Sequence, residues 1–92
     1  LAMAASLAAG LEGIERKLEP PAPVTNGYAA PGSTPLPRDL AEASQRFSQS
    51  EVARKWFGDV FVDHYTGTRD WEVRQYQRAV TDWELARYFE SV

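Results

Sequence analysis

Residues 1–23, LAMAASLAAGLEGIERKLEPPAP, decide how the rest of the chain is arranged. The apolar residues of this stretch recur at spacings of three and four, which places them on one face of an α-helix. They are Ala4, Leu7, Leu11, Ile14 and Leu18. Charge is confined to the second half of the stretch, so the first turns have no side suited to solvent. The pattern predicts a helix over residues 1–18 with a face that another element must cover.

The ends and the small residues of this helix give three further expectations. Pro20 lacks a backbone N–H and disfavours helical geometry in the residue before it, so the helix should not continue past residue 18. No capping residue precedes Leu1, which indicates that Leu1 is not the natural start of this helix. Gly10 and Gly13 match no phosphate-binding loop, and close approach of another backbone explains them better.

Residues 19–38 are rich in proline and glycine and predict a loop that runs over a surface. Asn26-Gly27 is its best turn sequence. Its larger apolar residues, which are the candidate anchors, are Val24, Tyr28 and Leu36. A loop of this length is usually functional or a spacer around a larger body, and the second interpretation suits a fragment.

Residues 39–57 predict two short helices. Asp39 with Glu42 has the pattern of a capping box, and Ser48 with Glu51 repeats that pattern. Gly58 is suited to end the second helix.

Residues 59–92 predict one long bent helix. Asp59 is placed to cap it, and apolar side chains recur at near-heptad spacing from Val62 to Trp83. A new capping box starts at Thr81, so we expect the bend there. This helix and the first carry the widest apolar stripes in the chain, and we expect the two to pack together. The predicted fold class is all-α, with four to five helices and a proline-rich loop.

Length and composition limit the classes of protein to which the chain can belong. A chain of 92 residues buries only about 60–65% of the surface that it exposes when unfolded, so its independent stability is marginal. The net charge of −3 argues against nucleic acid as a partner. The first apolar run is shorter than the roughly 20 residues needed to span a bilayer, and it lacks the basic start of a secretory signal. With no cysteine in the sequence, we expect a cytoplasmic protein without a membrane partner.

Arginines near the end of the chain alternate with aromatic residues, which is superficially typical of a surface that stacks nucleotides. Acidic residues are interleaved with them, and an ion-pair face is the better interpretation. Three pairs of opposite charge stand four residues apart and should interact. The pairs are Glu51 with Lys55, Asp70 with Arg74, and Arg78 with Asp82.

The sequence supplies little material for catalysis. His64 is the one histidine, and a metal site would need further donors on its face, so a surface or hydrogen-bonded histidine is the better interpretation. A nucleophilic triad also lacks its parts, since there is no cysteine, second histidine or Gly-x-Ser-x-Gly turn. The sequence therefore predicts no catalytic, cofactor-binding or metal-binding residue in this segment.

Two runs of the chain resemble the C-terminal portion of the glutamine synthetase family. They are AASLAAGLEGIERKLEPPAPV at residues 4–24 and FVDHYTGTRDWEVRQYQRAVTDWELARYFE at residues 61–90. The match covers essentially the whole chain in one order, which is far more specific than a short motif. It is closest to bacterial glutamine synthetases and glutamate–amine ligases. The resemblance implies that residues 1–92 are the C-terminal helical segment of an α+β catalytic domain.

The resemblance also implies what the whole protein does. Members of the family use ATP and Mg²⁺ or Mn²⁺ to activate the γ-carboxylate of glutamate and join it to ammonia or an amine, in glutamine biosynthesis and nitrogen metabolism. The metal ligands and nucleotide contacts are implied to lie upstream, which leaves this segment structural. Its partners are then the rest of the catalytic domain and other copies in a homo-oligomer. The rival interpretation is a small helical interaction module whose Leu/Ala face binds a partner helix.

One residue is a candidate modification site by the same resemblance. Bacterial members carry an adenylylated tyrosine in a loop of the form N-x-Y-x-x-P, and Asn26, Tyr28 and Pro31 fit that form. Ala29 and Ala30 depart from it, because an acidic and a larger apolar residue are expected there.

Overall fold

The computed structural model describes residues 1–28 and 32–89. Five α-helices follow one another in these residues, with no strand: α1 Ala2–Glu15, α2 Leu40–Gln49, α3 Glu51–Phe57, α4 Asp59–Arg78 and α5 Asp82–Tyr88. The predicted all-α class with four to five helices is confirmed. Ala29, Ala30 and Pro31 of the expected loop motif, and residues 90–92 of the expected last helix, lie outside the described residues.

A packed body is formed by α2, α3 and α4. Val62 of α4 is completely buried in it. A row of aromatic rings joins the three helices: Phe47 meets Tyr65 edge-on at 5.8 Å, and Phe57 lies 5.8 Å from Phe61. Phe61 in turn stacks on Tyr65 at 5.7 Å. Because such ring contacts add to the free energy gained by apolar burial, this row helps to hold the three helices together.

Side-chain caps fix where the short helices of the body begin. Asp39 accepts a hydrogen bond of 2.8 Å from the backbone N–H of Glu42, which confirms Asp39 as the cap of α2. The predicted capping box is not completed, because the Glu42 carboxylate bonds the backbone N–H of Arg38 at 3.1 Å instead of that of Asp39. The predicted cap at Ser48 is wrong. Ser50 caps α3 instead and accepts a hydrogen bond of 3.1 Å from the backbone N–H of Ala53. The reason is that α2 continues past Ser48, and the extended backbone that a cap requires occurs only at Ser50.

Gly58 separates α3 from α4, as predicted. Its φ of 84° lies in the left-handed region that favours glycine. The predicted cap at Asp59 is wrong, since this residue is the first of α4 and its carboxylate accepts a hydrogen bond of 2.9 Å from Arg54. Asp63 accepts a second bond of 2.8 Å from the same guanidinium. A charge-assisted bond of this kind is stronger than a neutral one, so Asp59 is engaged by the guanidinium rather than by the helix end.

The expected long bent helix is two helices, because the chain leaves helical geometry at residues 79–81. Thr81 and Glu84 form the reciprocal capping box that the sequence predicted. The backbone of Thr81 is extended, with φ −80° and ψ 156°, which no continuous helix accommodates. α4 therefore ends at Arg78 and α5 begins at Asp82.

The expected pairing of the first helix with the long helix is wrong, because α1 packs on α3. The side of α1 toward α3 carries Ala8 and Glu12, both buried, whereas Leu7, Leu11 and Ile14 are exposed. The cause is the connectivity of the body. Single-residue junctions join α2 to α3 and α3 to α4, so these neighbours cover the buried side of α4, and α1 reaches only the outer side of α3.

α1 ends at Glu15, before the predicted limit at residue 18. Lys17 adopts φ 52°, and its N–H bonds the carbonyl of Ile14 at 3.2 Å. The N–H of Leu18 bonds the carbonyl of Gly13 at 2.9 Å. This pair of bonds is the Schellman motif that commonly ends helices, with lysine in the position that glycine usually takes.

The last residues before α2, from Pro35 to Arg38, are held to that helix. Arg46 donates a hydrogen bond of 2.7 Å to the carbonyl of Pro35. The Glu42 carboxylate pairs with Arg38 at 3.3 Å and with Arg46 at 2.6 Å. The backbone N–H of Arg38 also bonds this carboxylate, and these contacts lower the pKa of Glu42 below its ordinary value.

The predicted turn and anchors of the loop have different outcomes. The Asn26 side chain accepts a hydrogen bond of 3.0 Å from the backbone N–H of Tyr28, which closes a local turn where Asn26-Gly27 predicted one. The predicted anchors are wrong, because their side chains are exposed rather than packed on the body. They are Val24, Tyr28 and Leu36.

The chain is extended for its length. Its radius of gyration is 18.4 Å, whereas a compact domain of this length has about 12 Å. It exposes 8200 Å² of surface, against about 5,400 Å² for a compact monomer of this mass. Much of the apolar surface is therefore not covered within the chain.

Candidate interface on the first helix

The side of α1 that faces away from α3 is an apolar surface. Its side chains lie on one stripe of the helix, and we call it the α1 apolar face: Met3, Leu7, Leu11 and Ile14. Leu7 is 67% exposed and Ile14 is 76% exposed. Single exposed apolar residues are ordinary, but a continuous stripe of them on one helix marks an interaction surface.

The glycines of α1 do not make the close contact that the sequence suggested. A methyl group placed at Gly10 or at Gly13 would meet nothing within 4 Å in the described part of the chain. Both positions therefore leave room for another element to approach α1 closely.

On the opposite side of α1, one buried carboxylate binds α3. Glu12 is 7% exposed, and its Oε2 accepts hydrogen bonds from the indole Nε1 of Trp56 at 2.9 Å and from the Lys55 ammonium at 3.2 Å. Lys55 also reaches Glu15 at 3.4 Å. The small side chain of Ala8, one turn earlier, allows the two helices to approach. A polar cluster of Glu12, Glu15, Lys55 and Trp56 thus joins α1 to α3.

The electrostatics of this cluster favour its charged form. The hydrogen bond from Trp56, and then the one from Lys55, lower the pKa of Glu12 below its ordinary value. The hydrogen bond to Glu12 likewise raises the pKa of Lys55. Both groups are therefore ionised at neutral pH, and the buried carboxylate has a cationic partner.

Two of the three predicted ion pairs are replaced by contacts between helices. Lys55 pairs with Glu12 and Glu15 of α1 rather than with Glu51. Asp70 accepts a hydrogen bond of 2.8 Å from the Ser44 hydroxyl of α2. For the third pair, Arg78 with Asp82, the helix break at residues 79–81 removes the i,i+4 geometry on which the prediction relied.

A second exposed apolar surface lies on α5, which has no buried residue. Trp83 is 64% exposed and contacts Tyr88 edge-on at 5.9 Å. The Arg87 guanidinium lies 5.9 Å from the ring centre of Trp83. These ring contacts are internal to α5.

His64 lies exposed on α4, as predicted, in an open groove with Trp71 and Arg74. Within residues 1–28 and 32–89, no three histidine, cysteine or acidic side chains come together as a metal site would require. Tyr28 is fully exposed, and its modification stays a prediction. None of the helices in the described residues has the length and apolar character to cross a membrane.

Sequence reasoning missed the polar cluster. Ala5, Ala8 and Glu12 share a second stripe of α1, at spacings of three and four, which was the only local signal. The partners of Glu12 are 43 and 44 residues away, at Lys55 and Trp56, and no pattern within one helix identifies them.

Comparison with known proteins identifies the family. The profile described as "Glutamine synthetase, catalytic domain" matches residues 1–88. A type-1 glutamine synthetase 2 of Dictyostelium discoideum is 41% identical over 97 residues, covering 100% of this chain and 19% of the relative. A glutamate–isopropylamine ligase of Pseudomonas sp. is 43% identical over 95 residues, covering 100% of this chain and 21% of the relative.

A gamma-glutamylethanolamide synthetase of Streptomyces coelicolor is 41% identical over 92 residues, covering 100% of this chain and 20% of the relative. The chain thus spans about a fifth of the length of the curated relatives it matches. No solved structure matches it significantly. The profile match over residues 1–88 and these identities place the chain in the glutamine synthetase family, in the part that belongs to the catalytic domain.

Proposed function

We propose that the protein containing these residues is an ATP-dependent ligase that forms a γ-glutamyl amide. In this reaction the γ-carboxylate of glutamate takes the terminal phosphoryl group of ATP, ADP leaves, and ammonia or a small amine then displaces phosphate. The family match and the names of the three relatives support this proposal, since all three are synthetases or ligases. Two of those names contain an amine or amide other than glutamine, so the proposed acceptor class includes alkylamines and amino alcohols.

We assign a structural role to the segment itself. ATP and Mg²⁺ or Mn²⁺ would need acidic or imidazole ligands that converge on one site. Four carboxylates of the segment are engaged otherwise: Glu12 and Glu42 by cations and N–H donors, Asp59 and Asp63 by Arg54. They do not fit a metal or nucleotide site, and no step of phosphoryl transfer is assigned to them.

The single observation that carries the structural role is the α1 apolar face. In the proposed whole protein this face packs on the rest of the catalytic domain, and the small residues of α1 allow that domain to approach closely. The same proposal includes a homo-oligomer located in the cytoplasm, as the family resemblance implies.

The test uses the full-length protein that contains these residues. We expect phosphate release that requires ATP, glutamate and an amine or ammonia together, and a γ-glutamyl amide as product. Ile14→Lys on the α1 apolar face should lower the amount of folded, active protein. Leu36→Lys, at a residue that is 86% exposed in the loop, is the matched control and should leave activity unchanged. Full-length protein without amide formation from any amine would contradict the ligase proposal.

A helical interaction module remains the second candidate, because the same α1 apolar face would suit a partner helix. The two candidates differ in what Ile14→Lys does. A module loses partner binding while its own folding and any activity of the full-length protein are unchanged. A domain segment loses the folding of the catalytic domain.

A further inference from the structure

The contact between α1 and α3 is small and mainly polar. On α1 it buries Ala8 and Glu12, which are 9% and 7% exposed. Ala8 contributes little apolar area, since its side chain is one methyl group. Hydrogen bonds and charge at Glu12 therefore account for most of what holds α1 in place.

The body has a different basis for its cohesion. Val62 is completely buried, and the ring contacts from Phe47 through Tyr65 to Phe61 do not depend on charge. The ion pairs of Arg54 in the body involve carboxylates that are 66–75% exposed, and exposed pairs contribute little. Neutralising Glu12 should therefore affect α1 far more than α2, α3 and α4.

The charged and polar groups around Glu12 are few. From α3, Lys55 and Trp56 donate to its carboxylate. From α1 itself, Glu15 shares Lys55, and Arg16 adds a favourable charge. When Glu12 is neutral, the ion pair that Lys55 keeps with α1 is its longer contact to the half-exposed Glu15. Because the pKa of Glu12 is lowered, docking is complete above the ordinary pKa of glutamate and is lost as the pH falls through the lowered value.

We propose that Glu12 is a charge-dependent latch. In its ionised form it holds α1 on α3, and its neutralisation releases α1 while α2, α3 and α4 stay packed. This inference goes beyond the proposed ligase function and does not rest on it. The charge of Glu12 then controls the position of the α1 apolar face, whereas the packing of α2, α3 and α4 does not depend on that charge.

The test is a distance measurement on the full 92-residue chain, which has no cysteine and so allows selective spin labelling. One labelled pair, Ala9→Cys with Gln49→Cys, measures the distance between α1 and the body. A second pair, Gln45→Cys with Gln77→Cys, measures the distance between α2 and α4. All four positions are exposed. Distances are measured by double electron–electron resonance at pH 7 and in a series of samples at decreasing acidic pH, and in Glu12→Gln at pH 7.

We expect a narrow distance for both pairs at pH 7 in the otherwise unchanged chain. In Glu12→Gln at pH 7, and in the unchanged chain once the pH has fallen through the lowered pKa of Glu12, the first distance should broaden while the second stays narrow. The matched control is Glu51→Gln, which neutralises an exposed glutamate of α3 and should change neither distance. The proposal is overturned if Glu12→Gln keeps the first distance narrow, if both pairs broaden together, or if Glu51→Gln has the same effect.

Discussion

The indole Nε1 of Trp56 donates a hydrogen bond of 2.9 Å to the buried carboxylate of Glu12, and so joins two helices across 44 sequence positions. The same oxygen accepts a hydrogen bond from Lys55. The neutral donor and the cationic donor respond differently to pH. Their contributions to the docking of α1 can therefore be separated.

Alkaline pH should weaken the docking of α1 only in part. The pKa of Lys55 is raised by Glu12, so its contribution is complete below the ordinary lysine pKa of about 10.4 and is lost as the pH rises through the raised value. The Trp56 hydrogen bond persists there. The readout is the emission maximum of Trp56 in a Trp71→Phe, Trp83→Phe background, which should shift to longer wavelength in one alkaline step. Lys55→Gln should lack this step, and a step of equal size in that variant would contradict the assignment.

Val62→Ala should destabilise the body by about 2 kcal/mol, because it creates a cavity at a completely buried side chain. Val60→Ala is the matched control. Val60 is on the same helix but 86% exposed, so its truncation should stay within about 0.5 kcal/mol. Urea unfolding of both variants checks the difference. Equal destabilisation by the two would show that Val62 is not the core residue that its burial indicates.

Two glycine-to-alanine substitutions should have opposite signs. Gly58 has φ 84° and ψ 153°, a conformation nearly restricted to glycine, so Gly58→Ala should cost about 2 kcal/mol. Gly67 lies within α4, and a methyl group there meets nothing within 4 Å. Gly67→Ala should therefore stabilise by about 0.5–1 kcal/mol through helix propensity. Thermal unfolding of the pair measures both effects, and a stabilising Gly58→Ala would refute the geometry of the α3–α4 junction.

Lys17→Gly should stabilise the end of α1. Lys17 has φ 52°, where a side chain costs about 1 kcal/mol relative to glycine. Slower amide hydrogen exchange in the last turn of α1 would show the gain. Arg16→Gly is the control, because Arg16 has an ordinary helical φ of −86° and glycine there should speed exchange.

The isolated chain should self-associate through the α1 apolar face. Leu7→Lys with Ile14→Lys places two charges on side chains that are now exposed and apolar, and should shift the chain toward monomer in sedimentation velocity. Leu36→Lys, in the loop, should leave association unchanged. Association that is the same in all three proteins would indicate a different contact surface, of which the aromatic residues of α5 are the next candidate.

The family and the helical class follow from the sequence, and so do several helix ends. Asp39, Gly58 and Thr81 act where the pattern predicted, because a cap or a left-handed turn depends on a few neighbouring residues. Ser48 and Asp59 show the limit of that reasoning. Each has the right residue type for a cap. Ser48 does not cap a helix because α2 continues past it, and Asp59 does not because its carboxylate bonds the guanidinium of Arg54.

Only the tertiary structure decided which side of α1 is covered. The apolar stripe of Leu7, Leu11 and Ile14 predicted burial, but apolar burial is non-directional and does not specify a partner. Single-residue junctions join α2, α3 and α4, and both α2 and α3 pack on α4. α1 contacts α3 through Glu12. The sequence by itself determined the periodicity that forms each helix, because that depends on contacts three and four residues apart. The pairing of Glu12 with Trp56 depends on the path of the chain between them, and for that reason only the folded structure shows it.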